Sequence, residues 1–433
     1  MFISDCLGIN DKGNLTIGGC DTLELVQRYA TPLYVMDEQQ LREHCRQYRS
    51  SIEKYYGGNG LVAYASKSFC CKAVCRLAME EGLGLDVVSG GELYTAMSVG
   101  FPAQRIFFHG NNKTPQELTE ALEYGVGQIV VDNLTELELL NQLAKSQERV
   151  ARILLRVKPG IDAHTHNFIR TGQIDSKFGL ALETGEAMQA VKAAAALDWV
   201  QLVGLHCHIG SQIFDIAPFE ETARVMLRFM AQIREETGLE LTMLNLGGGF
   251  GIQYLPEHDP KPYETYMDGV SRTVHSECEK LGMKIPFIVI EPGRSVSGPA
   301  GITLYRVGSV KEIPGVRTYV SVDGGMTDNP RYALYQAEYE MLVANKASQP
   351  KTQKVTVAGK CCESGDLLGE NIPLQQAVPG DVLAVLATGA YNYSMSSNYN
   401  RLPKPPVVFV RDGKARVVVK RETLEDLIRN DCE

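Results

Sequence analysis

Ionisable side chains in this sequence stand where short apolar runs end, and one of them is a lysine able to form an imine with an aldehyde. The first run, Leu61–Lys67, reads Leu-Val-Ala-Tyr-Ala-Ser-Lys. By strand alternation Ala63 and Ala65 share the lysine's face, which leaves room for a flat group beside the amine. An isolated lysine can equally be a salt-bridge partner, so the residues around it must decide between imine formation and a salt bridge.

The later runs end on residues of similar kinds. These residues are Asp86, His109, Asp132, Arg156, His208, the triplet Gly247-Gly248-Gly249, and Glu291 with Arg294. Buried apolar strands do not need ionisable groups at their ends to build a core. Asp132 and Arg156 could instead be buried structural residues whose hydrogen bonds are satisfied. This alternative remains open beside a catalytic role.

An imine-forming lysine predicts an aldehyde cofactor, and pyridoxal 5'-phosphate needs a phosphate cradle, a group stacked on its ring and a partner for its pyridine nitrogen. The run Leu244–Gly251 follows an apolar strand and contains the glycine triplet, whose backbone N–H groups can converge on a phosphate. Ile252 leaves the dinucleotide pattern GxGxxG incomplete, and GxxxxGK[ST] is absent from the sequence. The triplet therefore predicts a cradle for an isolated phosphate group.

The ring and its nitrogen have candidate partners in two further motifs. His206 and His208 alternate onto one strand face, and Ser211 follows at the start of a loop. A metal could bind His-x-His, but no third ligand of suitable spacing follows nearby, so no metal site is predicted. His208 could instead stack on the ring. Glu291 could hold the pyridine nitrogen protonated, which makes the ring a strong electron sink suited to decarboxylation.

Eight apolar runs alternate with helical patterns, and this alternation predicts a (β/α)8 barrel. The runs are Leu61–Lys67, Gly84–Ser89, Arg105–Gly110, Gln128–Asn133, Arg152–Pro159, Leu202–Gly210, Thr242–Phe250 and Phe287–Gly293. In such barrels the active site is built at the carboxyl ends of the strands, where the residues above stand. The segment His164–Lys177 is expected to be a loop over the barrel mouth.

After Arg294 the sequence pattern changes to short strand-like runs separated by Gly, Pro and Asn. This pattern predicts an antiparallel β-barrel or β-sandwich domain. Strand-like residues before Asp37 can join it. The predicted domains are therefore a barrel over residues 37–294 and a β domain made of residues 1–36 and 295–433. The β domain is expected to contribute substrate-binding and dimer-interface residues.

Bulk properties exclude several classes of protein. The chain has 433 residues, enough for two domains, and a net charge of -9 without a Lys/Arg-rich run, which argues against nucleic acid or an anionic membrane as partner. No apolar stretch reaches the roughly 18 residues of a membrane span. The 11 cysteines lack CxxC spacing, so neither a disulfide framework nor a structural zinc site is expected. These properties favour a cytoplasmic enzyme.

Seven motifs together resemble the alanine-racemase-fold pyridoxal phosphate decarboxylases, over nearly the full chain. They are Tyr64-Ala-Ser-Lys67, Asp86–Glu92, His206-Cys-His-Ile-Gly-Ser211, Gly247-Gly-Gly249, Glu291-Pro-Gly-Arg294, Cys362-Glu-Ser364 with Asp366, and Gly389-Ala-Tyr391. Two more specific runs, Asp328–Tyr335 and Cys361–Asp366, resemble the diaminopimelate decarboxylase family within that group. Ser68-Phe-Cys-Cys is a local departure from many relatives.

The resemblance implies a role for each matching position. The cofactor pyridoxal 5'-phosphate would be held by Lys67, Asp86, His208, Ser211, Gly248, Gly249, Glu291, Gly293, Arg294 and Tyr391. The substrate would contact Arg294, Arg331, Tyr335, Glu363 and Tyr391. Lys67 would bind the cofactor covalently, and Cys362 would be the general acid. Cys362 and Glu363 would reach in from the second subunit of a homodimer.

The implied substrate, meso-2,6-diaminopimelate, carries an amino acid head at each end. Arginine suits the carboxylate of the non-reacting head and Glu363 suits its ammonium. At the reacting head, loss of CO2 followed by protonation from Cys362 would give L-lysine. An ornithine, arginine or carboxynorspermidine decarboxylase of the same fold remains an alternative, although a distal amine alone would not require Arg294 and Arg331. A non-catalytic pyridoxal phosphate-binding regulatory protein is the alternative from another class.

Overall fold

The computed structural model describes residues 2–161 and 176–432, so most of the predicted loop from His164 to Lys177 lies outside the described residues. The contacts divide the chain into two compact units. The barrel unit comprises His44–Gly251 and Pro260–Gly293. The sheet unit comprises Met1–Glu43, Ile252–Asp259 and Arg294–Glu433.

The barrel unit contains a closed ring of eight parallel strands. In chain order, the barrel strands are Gly60–Ala65, Gly84–Val87, Ile106–Phe108, Gln128–Val131, Ala151–Lys158, Val200–His206, Met243–Asn245 and Phe287–Ile290. The eighth pairs with the first through Ile290 and Val62, which closes the ring. The predicted (β/α)8 barrel is confirmed, because each strand falls on one of the predicted apolar runs.

Helices connect successive barrel strands, and several begin at caps that the sequence encodes. The helices are Lys72–Glu80, Gly90–Met97, Pro115–Tyr124, Leu134–Ser146, Glu186–Ala195, Ala217–Thr237 and Tyr263–Lys280. The helix Glu38–Tyr56 precedes the first strand. Thr114 and Glu117 form a capping box, and Asn133 caps the next helix by accepting from the Glu136 N–H. A short strand, Leu180–Ala181, pairs with the fifth barrel strand.

The barrel interior is filled by apolar side chains. A buried cluster takes one residue from each of seven strands: Ala63, Phe107, Val130, Leu154, Val203, Met243 and Val289. Such a layer makes the barrel a packed core with no open pore. Functional side chains are therefore confined to the strand ends and the turns that follow them.

The sheet unit is built on a nine-stranded sheet that includes an N-terminal strand. Its strands are Leu33–Asp37, Gly301–Ile313, Arg317–Val322, Met341–Val343, Gln353–Ala358, Leu367–Leu374, Val382–Val385, Val407–Arg411 and Lys414–Val419. Leu33–Asp37 pairs antiparallel with Gly301–Ile313, as the predicted joining of the N-terminal strands requires. Two pairings are parallel, namely Arg317–Val322 with Gln353–Ala358 and Leu33–Asp37 with Val407–Arg411.

The remaining elements of the sheet unit are short. A small sheet consists of Leu7–Ile9, Leu15–Ile17 and Cys20–Asp21, and the helices are Thr22–Tyr29, Arg294–Ser297, Arg331–Tyr335 and Leu424–Ile428. Two buried clusters of Leu, Ile, Val and Tyr side chains form its core. Across residues 2–161 and 176–432, no helix has the length and apolar character needed to cross a bilayer.

Candidate active site

Lys67 lies in a tight turn directly after the first barrel strand. The turn spans Ser66–Ser68, and its lysine side chain is exposed. Ser68 Oγ lies 2.8 Å from the Ala65 carbonyl oxygen and 2.9 Å from the Tyr64 hydroxyl, so its single proton is shared between these two acceptors, and Tyr64 in turn donates to the Phe69 carbonyl at 2.9 Å. These buried bonds fix the backbone on both sides of Lys67. The amine is therefore presented from a rigid turn at the strand end.

The turn that carries Glu291 packs against the same strand. The Ala65 N–H donates to the Pro292 carbonyl at 3.2 Å. A Cβ at Gly293 would lie 2.9 Å from the Ala65 Cβ, closer than real contacts allow, so this position needs glycine. Gly293 is thus assigned a packing role that brings the eighth strand's turn beside the first strand's turn.

The carboxylate of Glu291 is buried and is held by three side-chain donors from three other strand ends. Oε1 accepts from Asn245 Nδ2 at 2.6 Å and from His109 Nε2 at 2.7 Å, while Oε2 accepts from His206 Nε2 at 3.1 Å. A carboxylate offers about four lone-pair sites, so three donors leave one, on Oε2. Glu291 is therefore oriented and still able to accept one more hydrogen bond.

Electrostatics around Glu291 favour its ionised form. Burial alone would raise the pKa of Glu291, but His109 and His206 outweigh burial and hold that pKa well below its usual value. Burial lowers the pKa of His206 to about 3, so this imidazole is neutral near pH 7 and donates from Nε2. Its Nδ1 has no hydrogen-bond partner among the described residues. His206 therefore serves as a neutral hydrogen-bond donor to a buried anion.

Asp86 lies at the end of the second strand, close to this cluster. Its Oδ1 is buried, 3.8 Å from His109 Nε2, and has no hydrogen-bond partner within the part of the chain that is described. Burial raises the pKa of Asp86, and the Glu291 carboxylate raises it further, whereas His109 acts in the opposite direction. Asp86 is thus a buried acid with an unused oxygen.

The same cluster contains three possible metal ligands, although His208, the second histidine of the His-x-His motif, is not one of them. One ligand atom each from His109, His206 and Glu291 lies within 4.8 Å of the others, a spacing that could hold a metal ion. His109 and His206 come from the third and sixth strands, so no local motif links them. Because both imidazoles contact the carboxylate at 2.7 and 3.1 Å, the observed arrangement is a hydrogen-bonded cluster.

The glycine triplet after the seventh strand has no room for side chains. A Cβ at Gly248 would lie 2.1 Å from the Glu291 carbonyl oxygen. Gly247 and Gly249 have φ of +68° and +117°, and a Cβ on either would meet a backbone oxygen at 2.5 or 2.6 Å. Only glycine fits here, so the backbone is free of side-chain obstruction, as a phosphate cradle requires.

His208 and Ser211 lie in the turn after the sixth strand, next to the triplet. The Gly248 N–H donates to His208 Nδ1 at 3.3 Å, which leaves the Nε2 proton on the neutral ring. Burial, followed by the positive charge of Lys67, lowers the pKa of His208 well below its usual value. The Ile213 N–H donates to the Gly249 carbonyl at 3.0 Å, so the loop containing Ser211 is tied to the glycine run. A neutral ring and a hydroxyl thus flank the cradle.

The donor set of the barrel unit fits pyridoxal 5'-phosphate. Lys67 supplies an exposed amine, Glu291 an ionised carboxylate with one free lone-pair site, and the triplet a cradle that any Cβ would block. The orphaned Oδ1 of Asp86 provides a further buried acceptor. These are the groups that the aldehyde, pyridine nitrogen and phosphate of this cofactor require.

The sheet unit contains a second cluster, built on two buried arginines. Arg294 Nη1 and Arg331 Nη1 donate to the Tyr254 hydroxyl oxygen at 2.7 and 3.1 Å. The guanidinium carbon of Arg294 lies 4.7 Å from the ring centroid of Tyr391, and that of Arg331 lies 5.7 Å from it. Tyr391 is half-buried, with a φ of +61°. Tyrosine rings and one phenol oxygen thus surround two positive charges.

The other predicted substrate residues lie at the ends of nearby elements of the sheet unit. Tyr335 is half-buried at the end of the helix Arg331–Tyr335. Cys362 and Glu363 are exposed, and the Cys362 N–H donates to Asn400 Oδ1 at 2.7 Å. Within the part of the chain described, no recorded contact joins either residue to the two arginines. The structure therefore brings Arg294, Arg331 and Tyr391 together and leaves Cys362 and Glu363 on an exposed loop.

Asp366 anchors that loop. It accepts from the N–H groups of Cys361 at 2.7 Å and Met326 at 2.6 Å, so the loop is tied to the segment leading to Arg331. A Cβ at Gly325 or Gly359 would lie within 2.4 Å of the Asp366 carboxylate. The motif residue Asp366 is thus structural, and it ties together two segments that are predicted to bind the substrate.

Sequence reasoning did not assign His109, His206, Asn245 or Tyr254 to the site. Asn245 and His206 lie in motifs whose other residues have the predicted roles, and the sequence marks His109 only by its position at a strand end. Tyr254 lies in the Ile252–Asp259 segment, which belongs to the sheet unit although barrel segments flank it in the chain. The strand-end rule could have selected His109, whereas no local signal marks Tyr254.

The comparisons with known proteins agree with this chemistry. The family model described as pyridoxal-dependent decarboxylase, pyridoxal binding domain, matches residues 38–298. The diaminopimelate decarboxylases of Halalkalibacterium halodurans and Bacillus subtilis are 51% and 50% identical to this chain, and each match covers 100% of the chain and 98% of the relative. A crystal structure of diaminopimelate decarboxylase from M. jannaschii, in co-complex with L-lysine, is similar with a TM-score of 0.93 and 37% identity, covering 100% of this chain and 99% of that chain.

Proposed function

The chain belongs to the diaminopimelate decarboxylase family of pyridoxal-dependent decarboxylases, and on that premise we propose how its residues act. The reaction is decarboxylation of meso-2,6-diaminopimelate to L-lysine and CO2, the last step of lysine biosynthesis, with pyridoxal 5'-phosphate as cofactor. The observation that carries the residue assignments is the Glu291 carboxylate, held ionised by three donors at the strand ends.

The barrel unit supplies most of the cofactor-binding residues in this proposal, and Arg294 and Tyr391 of the sheet unit complete them. Lys67 would hold the cofactor covalently, Asp86 and Glu291 would bind its pyridine ring, and His208 would pack on that ring as a neutral imidazole. When bound, pyridoxal 5'-phosphate supplies an electron sink for the electron pair left when CO2 departs. The phosphate is held by backbone and side-chain donors of Ser211, Gly248, Gly249, Gly293, Arg294 and Tyr391. Glu291 contributes by staying deprotonated and keeping a proton at the pyridine nitrogen.

The sheet unit supplies the substrate-binding residues. Arg294 and Arg331 bind the carboxylate of the non-reacting head, with Tyr335 and Tyr391 beside them, because a planar guanidinium can bind both carboxylate oxygens. Glu363 binds the ammonium of that head. Cys362 donates the proton that replaces CO2 at the reacting carbon.

We propose a cytoplasmic homodimer in which Cys362 and Glu363 act on the substrate bound by the other copy. Their exposure on a loop of the sheet unit supports this arrangement, because an exposed thiol and carboxylate can reach a neighbouring chain. Mixing a Lys67→Ala chain with a Cys362→Ala chain tests it. Recovery of activity in the mixture is expected, and a mixture as inactive as its components would contradict shared sites.

A substrate panel tests the function itself. The purified protein, assayed with and without added pyridoxal 5'-phosphate, is expected to release CO2 from meso-diaminopimelate and little from ornithine. The distal carboxylate of diaminopimelate is the group that Arg331 is assigned to bind, and ornithine lacks it. A preference for ornithine would contradict the proposed function.

A further inference from the structure

The phenol proton of Tyr254 is not needed for any of the residue roles described above. The residue is buried, and its phenol oxygen accepts from Arg294 at 2.7 Å and from Arg331 at 3.1 Å. The phenol oxygen thus already accepts hydrogen bonds from two guanidinium N–H groups. The phenol proton remains, and no acceptor for it is recorded among residues 2–161 and 176–432. A buried donor without an acceptor is costly unless a ligand supplies one.

Arg331 gives a second, independent sign of a missing anion. Its side chain is only 8% exposed, and its Nε has no hydrogen-bond partner in the described part of the chain. No carboxylate among the described residues lies within ion-pair distance of it, although burying an unpaired guanidinium is strongly unfavourable. The positive charges of Arg294 and Arg331 also outweigh burial and lower the pKa of Tyr254. Arg331 therefore has no negatively charged partner among the described residues.

The position of Tyr254 is rigid, so its free proton has a fixed direction. The Tyr254 N–H donates to His258 Nδ1 at 3.3 Å, and the Tyr254 carbonyl accepts from the Glu340 N–H at 3.2 Å. Its ring packs edge-on against Tyr339, with the centroids 5.1 Å apart. A donor fixed in this way can discriminate between ligands that have an acceptor and ligands that lack one.

We propose that Tyr254 is a specificity-determining residue. It donates its phenol proton to the carboxylate of the substrate's non-reacting amino acid head. Through its phenol oxygen it also orients Arg294 and Arg331 toward that same carboxylate. This inference rests on the proposed function and adds a third donor to its anion pocket. Tyr254 thereby favours substrates with a second carboxylate over diamine-forming substrates, whose distal end is an amine alone. The cofactor phosphate is an anion too, so the test separates the two sources.

The test compares Tyr254→Phe with Tyr339→Phe in the holoenzyme. Tyr339 is a matched control, because it is buried against Tyr254 and its hydroxyl contacts Asn392 Nδ2 at 3.4 Å. Calorimetry measures dissociation constants for L-lysine, which retains the distal carboxylate, and for cadaverine, which lacks it. Titration of apoprotein measures pyridoxal 5'-phosphate affinity. Thermal unfolding shows that both variants are folded.

Tyr254→Phe is expected to weaken L-lysine binding on the order of tenfold to a hundredfold, as loss of a hydrogen bond to a charged group implies. Cadaverine and cofactor affinities stay unchanged, and Tyr339→Phe changes none of the three. Unchanged L-lysine affinity in Tyr254→Phe would overturn the inference. Parallel weakening of cofactor binding in the folded variant would assign the anion to the phosphate and would also overturn it.

A wild-type measurement keeps the inference testable if Tyr254→Phe does not fold. A crystal structure of the holoenzyme with L-lysine should place the Tyr254 hydroxyl within about 3.0 Å of a ligand carboxylate oxygen. A carboxylate bound elsewhere would refute the role of Tyr254. Failure of wild type to release CO2 from diaminopimelate would instead refute the proposed function, so the two failures are distinguishable.

Discussion

The two units bury charge in opposite ways. In the barrel unit, the Glu291 carboxylate is 6% exposed and receives hydrogen bonds from Asn245, His109 and His206. In the sheet unit, Arg331 is 8% exposed, and one of its Nη atoms donates to a phenol oxygen that Arg294 also uses. The anion is supplied with donors, whereas the Nε of the Arg331 cation lacks an acceptor among the described residues.

This difference separates two kinds of functional charge. A buried charge is tolerated when polar partners replace the water it loses, so Glu291 is set in place before any ligand arrives. The Arg331 cluster is incomplete and gains most from an anionic ligand. Under the proposed function, the comparison indicates that the barrel unit tunes the cofactor and that the sheet unit recognises the substrate by completing a deficient site.

The largest effect is expected at a residue that neither buried cluster contains. Cys362→Ala should lower kcat on the order of 10²-fold or more, because the proposed general acid is lost, and stopped-flow or steady-state CO2 release measures the change. Cys432→Ala is the control, since Cys432 is also exposed. An unchanged kcat in Cys362→Ala would show that the Cys362 thiol is not the general acid.

The next effect sharpens the substrate side of the comparison. Arg331→Met should raise KM for diaminopimelate on the order of 10- to 100-fold, because a charge-assisted bond to the distal carboxylate is lost. Arg317→Met is the control, since Arg317 pairs with Glu370 at the surface and such pairs contribute about 0–1 kcal/mol. Equal KM changes in both variants would remove the special role of the buried arginine.

A smaller effect tests the cofactor side. Asn245→Ala removes one donor from Glu291 and should weaken pyridoxal 5'-phosphate binding about tenfold, measured by titrating apoprotein. The folded-state pKa of Glu291 lies below its unfolded value, so its contribution to stability is present above the usual pKa and is lost as pH falls. In Asn245→Ala that loss should begin at higher pH. Asn141→Ala, which removes an amide that accepts from the Trp199 N–H, should change neither quantity.

The smallest effect concerns a buried acid that is not held ionised. Asp328 accepts from Tyr305, Thr327 and the Gly325 N–H, and burial raises its pKa from 3.8 to about 7. Folding therefore favours the protonated form, and the stability this gives is full below the unfolded pKa and is lost as pH rises through about 7. Asp328→Asn should remove a slope of at most about 1.4 kcal/mol per pH unit. Denaturant unfolding across this pH range measures it, and an unchanged slope would contradict the assignment.

Much of the architecture could be predicted from local patterns. All eight barrel strands coincide with apolar runs, because strands buried on both faces are apolar along their length. In the sheet unit, the strands Met341–Val343 and Leu367–Leu374 cannot be recognised from the local sequence. The first has only three residues, and the second contains Gly369, Glu370 and Pro373, so neither shows a clear strand pattern.

The site was predictable where a motif is contiguous and unpredictable where the fold assembles it. Lys67, the glycine triplet and the Glu291–Arg294 turn are each local. His109 and Glu291 are 182 positions apart in the chain, and only barrel closure brings them to 2.7 Å. Tyr254 meets Arg331 because its segment leaves the barrel unit, a change that the composition around Ile252 does not signal.

The most direct test of the account locates the covalent bond to the cofactor. Borohydride reduction of the holoenzyme, followed by peptide mass spectrometry, should find the reduced pyridoxyl group on Lys67. The Lys67→Ala variant should carry no label. The control Lys72→Ala, which removes an exposed lysine five residues later, should be labelled like wild type. A label on another residue, or no label at all, would contradict the central claim.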